Sequence, residues 1–167
     1  MEQINWEELK KKIHSCDMLL VGIGQEMSEE KLEKGVIDKA QEKLASYLKG
    51  LNYFVISSNR DGGLETGLWS QEKTVAPLYR EDQAAWERYM QWIGFTLNRR
   101  LLVLELGEGF ANPSVMRWPF ERMVMINQKA QLIRVGQAFP QIPEELKEKG
   151  ISVPMSAVAF IDRLCGD

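Results

Sequence analysis

The sequence predicts an α/β fold: a single Rossmann-like three-layer domain over residues 1–167, with a mostly parallel sheet and helices on both faces. Three observations carry this. Compact apolar runs (MLLVGIG from Met18, YFVIS at Tyr53–Ser57, LLVLEL from Leu101 and LIRV at 132–135) read as strands buried on both sides. Between them, apolar residues recur at helical spacing. Gly22 and Gly24 then close the first run with a tight turn of the kind that joins a strand to a helix.

Asn5 caps a first helix from Trp6 to Ser15, with Glu8 three residues on and Ile4 and Leu9 placed as a hydrophobic staple. After the Met18 strand, Ser28 is expected to cap a helix carrying Leu32, Val36, Ala40, Leu44 and Leu48, stopped by Gly50. The second strand leaves through the turn formers SSNRDGG. Leu64 to Tyr79, with Gly67 and Pro77 and no clear period, reads as a long loop. Asp82 opens a helix with Ala85, Trp86, Tyr89, Met90, Ile93 and Leu97 as its stripe, and Arg99 and Arg100 suit its C-terminal end. Pro119 is expected at the first position of the next helix, along which Phe120, Met123, Val124 and Asn127 share a side. Pro143 starts a short helix, Ile151–Val153 forms a last strand, and Ser156–Leu164 closes the chain with a helix.

Composition narrows the function. A chain of 167 residues buries roughly two-thirds of its unfolded surface, enough for one core without staples. With 21 Lys and Arg against 24 Asp and Glu, the formal charge of −3 argues against nucleic acid as a partner. Cys16 and Cys165 lack CxxC spacing, which supports neither zinc nor a disulfide scaffold and suits a reducing compartment. No secretory leader and no run of about 20 apolar residues is visible, so a cytoplasmic protein without a membrane partner is expected.

In such sheets ligands bind beyond the C-terminal strand ends, which singles out the loops VGIGQEMS, ISSNRDGG and LELGEGFANPS. The GxG turn allows amides to approach a diphosphate, with the helix beyond Ser28 adding partial positive charge. Met27 stands where a full dinucleotide fingerprint has its third glycine, so a plain strand-to-helix turn is the alternative. Glu105 interrupts an apolar strand and needs a partner, for which Arg117 is the candidate, in a group with Glu121 and Arg122 that reads more as a structural ion pair than as a catalytic one. Trp69 and Trp118 are candidates for stacking on an adenine or nicotinamide ring. Trp86, Met116, Met123 and Met125 read as packing. His14, the only histidine, reads as a surface or cap residue, and no nucleophile has the spacing of a hydrolytic triad.

Taken together, the GxG turn, SSNRDG and ELGEGFANP resemble the sirtuins, the NAD-dependent protein deacylases, and most of all small bacterial sirtuin-like proteins, from about Met18 onward. The resemblance implies NAD as the cofactor. It places Gly22, Ile23, Gly24 and Gln25 in the glycine turn under the diphosphate, and matches Asn59 and Asp61 to the Asn and Asp of the TQNID segment, beside the nicotinamide ribose and amide. Gly107, Glu108 and Gly109 fall where the family has a Gly-Thr-Ser loop, and Gly136 near an Asn after the next strand. The sequence departs from the family in four places: QEMSEEKLEKG replaces GIPDFR, the CxxC pairs of the zinc module are absent, no histidine follows Asp61, and Glu108 brings a carboxylate to a phosphate loop, where it would repel phosphate or accept ribose hydroxyls.

The resemblance therefore implies an NAD or adenine-nucleotide binding domain without protein deacylase activity: a sensor, a pseudoenzyme or a partner-dependent component. One alternative is an NAD-consuming enzyme, a glycohydrolase or ADP-ribosyl transferase, in which Asn59 orients the nucleophile, Asp61 holds nicotinamide and Glu108 stabilises the ribosyl cation. The other is a nucleotide-free interaction module, a homo-oligomer or a binder of a protein partner through exposed tryptophans and methionines.

Overall fold

The apolar runs become the centre of one sheet. The computed structural model describes residues 3–61, 63, 64 and 68–166. Its strands are β1 (Met18–Ile23), β2 (Tyr53–Ser57), β3 (Thr74–Val75), β4 (Leu101–Leu106), β5 (Gln131–Val135) and β6 (Gly150–Val153). All pair in parallel, in the order β3-β2-β1-β4-β5-β6. This is the Rossmann order, in which strand succession reverses between β1 and β4, the switch point beside whose C-terminal strand ends such sheets bind ligands.

The helices are α1 (Trp6–Ser15), α2 (Lys34–Tyr47), α3 (Gln83–Gly94), α4 (Arg117–Ile126) and α5 (Ala157–Cys165). Alternation along each strand divides the core into two layers. Leu19, Val21 and Ile23 pack with Val55, Leu104 and Ile133 against Leu9, Ile13, Leu44, Phe160 and Leu164 of α1, α2 and α5. Met18 and Leu20 pack with Phe54, Ile56, Val103 and Leu132 against Tyr89, Phe120 and Val124 of α3 and α4. Each such side chain contributes about 1.5–3 kcal/mol of transfer free energy, which is why these strands tolerate so few polar residues.

Local signals explain most boundaries. Asn5 accepts the Glu8 amide at 3.1 Å, Asp82 that of Ala85 at 3.0 Å, and Ser156 that of Ala159 at 3.2 Å, each stopping an orphan donor at a helix start. Ser28 does not cap α2. Its hydroxyl donates to the Gln25 carbonyl at 2.8 Å and closes a 3-10 turn (Gln25–Met27), while the Glu29 amide is drawn to the Asp61 carboxylate at 2.7 Å, so α2 starts only at Lys34. Its buried face is Ile37, Ala40, Gln41 and Leu44, and Val36 is exposed.

Several other expectations shift. Within the predicted loop from Leu64 to Tyr79, Gln71–Lys73 forms a 3-10 turn and Thr74–Val75 the edge strand β3; Gly62 and Gly67 lie outside the described residues. Only Ala85 and Tyr89 of the α3 stripe are buried. Trp86 is 37% exposed, and Met90 and Leu97 face outward, so Trp86 is not core. Helix α3 ends at Gly94, well before Arg99, and Arg100 instead pairs with Asp17 at 3.1 Å. Pro119 is the third residue of α4, after Arg117 and Trp118, where a missing amide still breaks no helical bond. Asn127 caps the end of α4 and donates to the Thr96 carbonyl at 2.8 Å.

Candidate functional site

A cleft of about 780 Å³ opens at the C-terminal ends of β1, β2 and β4, within the size range of small-ligand sites. Three loops line it. The β1 loop contributes Gln25, Ser28, Glu29, Glu30 and Lys31, the β2 loop Ser58 to Asp61, and the β4 loop Gly109 to Asn112, with Phe139 closing one side.

The loops are stitched together by their own polar groups. Gly24 lies so close to the β4 loop that a Cβ there would sit 2.5 Å from the Glu108 backbone. Asn59, 3% exposed, donates its Nδ2 to the Gly24 carbonyl at 3.0 Å. Ser58 donates its hydroxyl to Glu108 Oε1 at 2.8 Å, and the Gly109 amide donates to Gln25 Oε1 at 3.2 Å. Among the described residues, these bonds leave Gln25 Nε2, Asn59 Oδ1 and Glu108 Oε2 buried without a hydrogen-bonding partner. A buried polar atom left unpaired costs about 1–3 kcal/mol, so three on adjoining loops are a substantial pull on a polar ligand.

Glu108 is 2% exposed. Burial pushes its carboxyl up to about 7, opposed by the Ser58 hydrogen bond and reinforced by the nearby Glu105 charge. It therefore changes charge near neutral pH, unlike an ordinary carboxylate.

Glu105 does have a guanidinium partner, but it is Arg134 rather than Arg117. The two residues are cross-strand neighbours on β4 and β5, and Arg134 grips both Glu105 oxygens at 2.6 and 3.1 Å and Glu121 at 2.7 Å. Burial works against both charges: at Glu105 it outweighs the Arg134 bonds and raises the carboxyl's pKa, whereas at Arg134 the bonds from Glu105 and Glu121 outweigh it and raise the guanidinium's. Arg122 is exposed. Arg117 instead donates to the carbonyls of Glu108 at 3.3 Å and Phe139 at 3.2 Å, and its guanidinium lies 4.1 Å from the centre of the Phe110 ring. It ties the β4 loop to the loop after β5.

Of the expected cofactor residues, Gln25, Asn59, Asp61 and Gly109 line the cleft, and Gly24 and Glu108 lie directly behind it. Gly22 does not: it sits in β1, where a Cβ would strike Met116 Sδ at 2.5 Å, so its smallness admits α4. The Ile23 side chain belongs to the core. Gly107 adopts a left-handed φ of +73° with Glu26 packed against it, and Gly136 follows β5 beside Phe139 and Glu26. The amides of Gly24, Glu26, Met27 and Ser28 all donate to protein carbonyls, and α2 begins away from the turn, so the glycine turn offers less to a diphosphate than its sequence suggests.

The aromatic candidates also change. Trp69 is buried, donating to Gln41 at 2.8 Å, and Trp118 is 56% exposed on α4, outside the cleft lining. The rings at the cleft are Phe110 and Phe139, packed edge to face with centroids 5.2 Å apart. Both were marked in sequence only by lying in loops that leave buried strands. Glu26 is a further residue that sequence reasoning missed. Its carboxylate accepts the amides of Gln137 at 2.8 Å and of Ala157, the first residue of α5, at 3.1 Å. His14 is exposed on α1, 3.1 Å from the Tyr47 hydroxyl. Exposed apolar residues gather past α3 and along α4, at Phe95, Leu97, Trp118, Met125 and Ile126; Met116 is core and Met123 partly buried.

Among the described residues no group of three or more His, Cys, Asp and Glu could hold a metal, and no helix is long and apolar enough to cross a membrane. No protein-family model matches the chain. Over 119 residues, 70% of its length, the chain is 34% identical to a "Probable bifunctional ADP-ribose hydrolase/ADP-ribosyltransferase" of Fusarium oxysporum f. sp. cubense, of which it spans 19%.

Proposed function

We propose that the cleft binds the ADP-ribose part of NAD, or of a related adenine nucleotide, and that its chemistry is directed at the ribosyl bond rather than at protein deacylation. The observation that carries this is the set of unpaired buried atoms on Gln25, Asn59 and Glu108, an amide donor and two acceptors at the cleft wall and directly behind it, beyond the C-terminal ends of β1, β2 and β4. Ribose hydroxyls and a carboxamide are partners of the right kind for them. Arg60 and Lys31, on the cleft wall, supply the positive charge that a diphosphate requires in place of the committed glycine-turn amides. Phe110 and Phe139 offer flat apolar surface to a base or pyridine ring.

The name carried by the fungal relative, an ADP-ribose hydrolase and ADP-ribosyltransferase, supports the same ligand class. So does the sirtuin-like placement of Asn59 and Asp61. Asp61 holds the Glu29 amide through Oδ2, which fixes the β1 and β2 loops relative to one another and shapes the nicotinamide end. In this reading Asn59 Oδ1 orients the group that attacks the ribose, and Glu108 adds negative charge from behind the cleft wall.

A binder without chemistry, acting as a sensor or partner-dependent component, is the second reading. It is favoured by the position of the single histidine on α1, bonded to Tyr47, which leaves the cleft without an imidazole base. Incubation with NAD and chromatographic measurement of nicotinamide separates the two: release above the buffer rate is expected for an enzyme, whereas bound NAD recovered intact would establish the sensor.

A further inference from the structure

Ser58 and Glu108 are more than stitches between loops. Ser58 lines the cleft although it is only 1% exposed, and its hydroxyl donates to Oε1 of Glu108, which lies behind it, at 2.8 Å. Among the described residues Glu108 Oε2 has no hydrogen-bonding partner, and Arg117, whose charge favours the carboxylate, binds the Glu108 backbone carbonyl and not its carboxyl.

We infer that Ser58 and Glu108 form a proton relay for the acceptor of the ribosyl group, an inference that rests on the cleft being an NAD site. The acceptor is water or a hydroxyl group. Its oxygen forms the new bond to the ribose C1′ while the C1′–N bond to nicotinamide breaks, the electron pair staying on the ring nitrogen and neutralising the pyridinium. The acceptor proton passes to Ser58 Oγ as the Ser58 proton passes to Glu108, which then returns it to solvent. Ser58 is the group that touches the reacting atoms, and Glu108 is the positioning residue and proton store behind it.

The surroundings fit a store that works near neutral pH. Glu108 faces Ser58 from the β2 loop, Glu105 from β4, the Gly109 amide from its own loop and Arg117 from α4, with Glu26 of the β1 loop packed on the adjoining Gly107. Burial dominates that balance and holds the carboxyl at about 7.

The test measures nicotinamide release from NAD between pH 5.5 and 8.5, with NAD binding by calorimetry on the same proteins. Wild type is expected to bind NAD and to speed up roughly tenfold from pH 6 to 8, levelling above 7, as a base of this acidity does. Glu108→Gln keeps an acceptor for Ser58 and is expected to bind NAD, lose the pH dependence and turn over about a hundredfold or more slowly. Ser58→Ala should match it, and Glu108→Asp should restore part of the pH dependence. A Glu108→Gln protein with the wild-type profile, or wild type that binds NAD and releases no nicotinamide, overturns the relay and leaves the binding site standing. Wild type that binds no NAD overturns both.

Discussion

Glu108→Gln should make the protein more stable, and only above acidic pH. The carboxyl has its ordinary value of 4.5 in the unfolded chain and about 7 in the fold, because burial disfavours its charge. Between those two values the native state keeps a proton that the unfolded chain has lost, so stability falls as pH rises. At about 1.4 kcal/mol per pH unit, wild type gives up roughly 3 kcal/mol between pH 4.5 and 7, and the loss levels off above 7. Gln carries no such charge and retains the hydrogen bond from Ser58. The unfolding free energies of the two proteins, measured in urea from pH 4.5 to 8, should therefore diverge by roughly 3 kcal/mol in favour of Glu108→Gln, equivalent to roughly 6–12 °C in Tm for a chain of this length. Parallel curves across that range would show that Glu108 titrates normally and would refute the argument from its burial.

Other perturbations follow from the same contacts. Arg134→Met should cost about 3–5 kcal/mol by stranding the buried Glu105, and in a double-mutant cycle with Glu105→Leu the two losses should fall well short of additive; additive losses would mean the pair is not coupled. Gly24→Ala should cost about 1–3 kcal/mol, because its Cβ meets Glu108 backbone at 2.5 Å, whereas Gly35→Ala in the open first turn of α2 should gain about 0.5 kcal/mol by denaturant unfolding. Cys16 and Cys165, each pushed up to about 11 by burial, should alkylate at pH 7.5 about a hundredfold more slowly than free cysteine.

The sheet was legible because its central strands are apolar on both faces, and a parallel sheet covered by helices leaves no other outcome for such runs. The caps at Asn5, Asp82 and Ser156 were legible because each needs only a residue and the three that follow it. Ser28 has the same signature, but the Asp61 carboxylate, which is 33 residues further on, captures the Glu29 amide and delays the helix. Glu105 was visible as a charge in an apolar strand, and its partner was not, since choosing Arg134 over Arg117 requires the register that sets β4 beside β5. That Arg134 also interrupts an apolar run was the available signal. Asn59, Asp61 and Gln25 reach the cleft because they follow strand ends, a rule of position along the chain. The Ser58 contact with Glu108 and the Arg117 clamp join residues whose proximity only the folded loops define.

The cleft at the C-terminal ends of β1, β2 and β4 is proposed as a nucleotide site. Calorimetric titration of wild type and Asn59→Ala with ADP-ribose and with NAD, on proteins shown by thermal unfolding to be folded, tests it most directly. Wild type is expected to bind both ligands, and loss of Asn59 Oδ1 to weaken each by about tenfold or more, the effect of removing one buried hydrogen bond. No binding of either ligand at millimolar concentration, or equal binding by the two proteins, would contradict it.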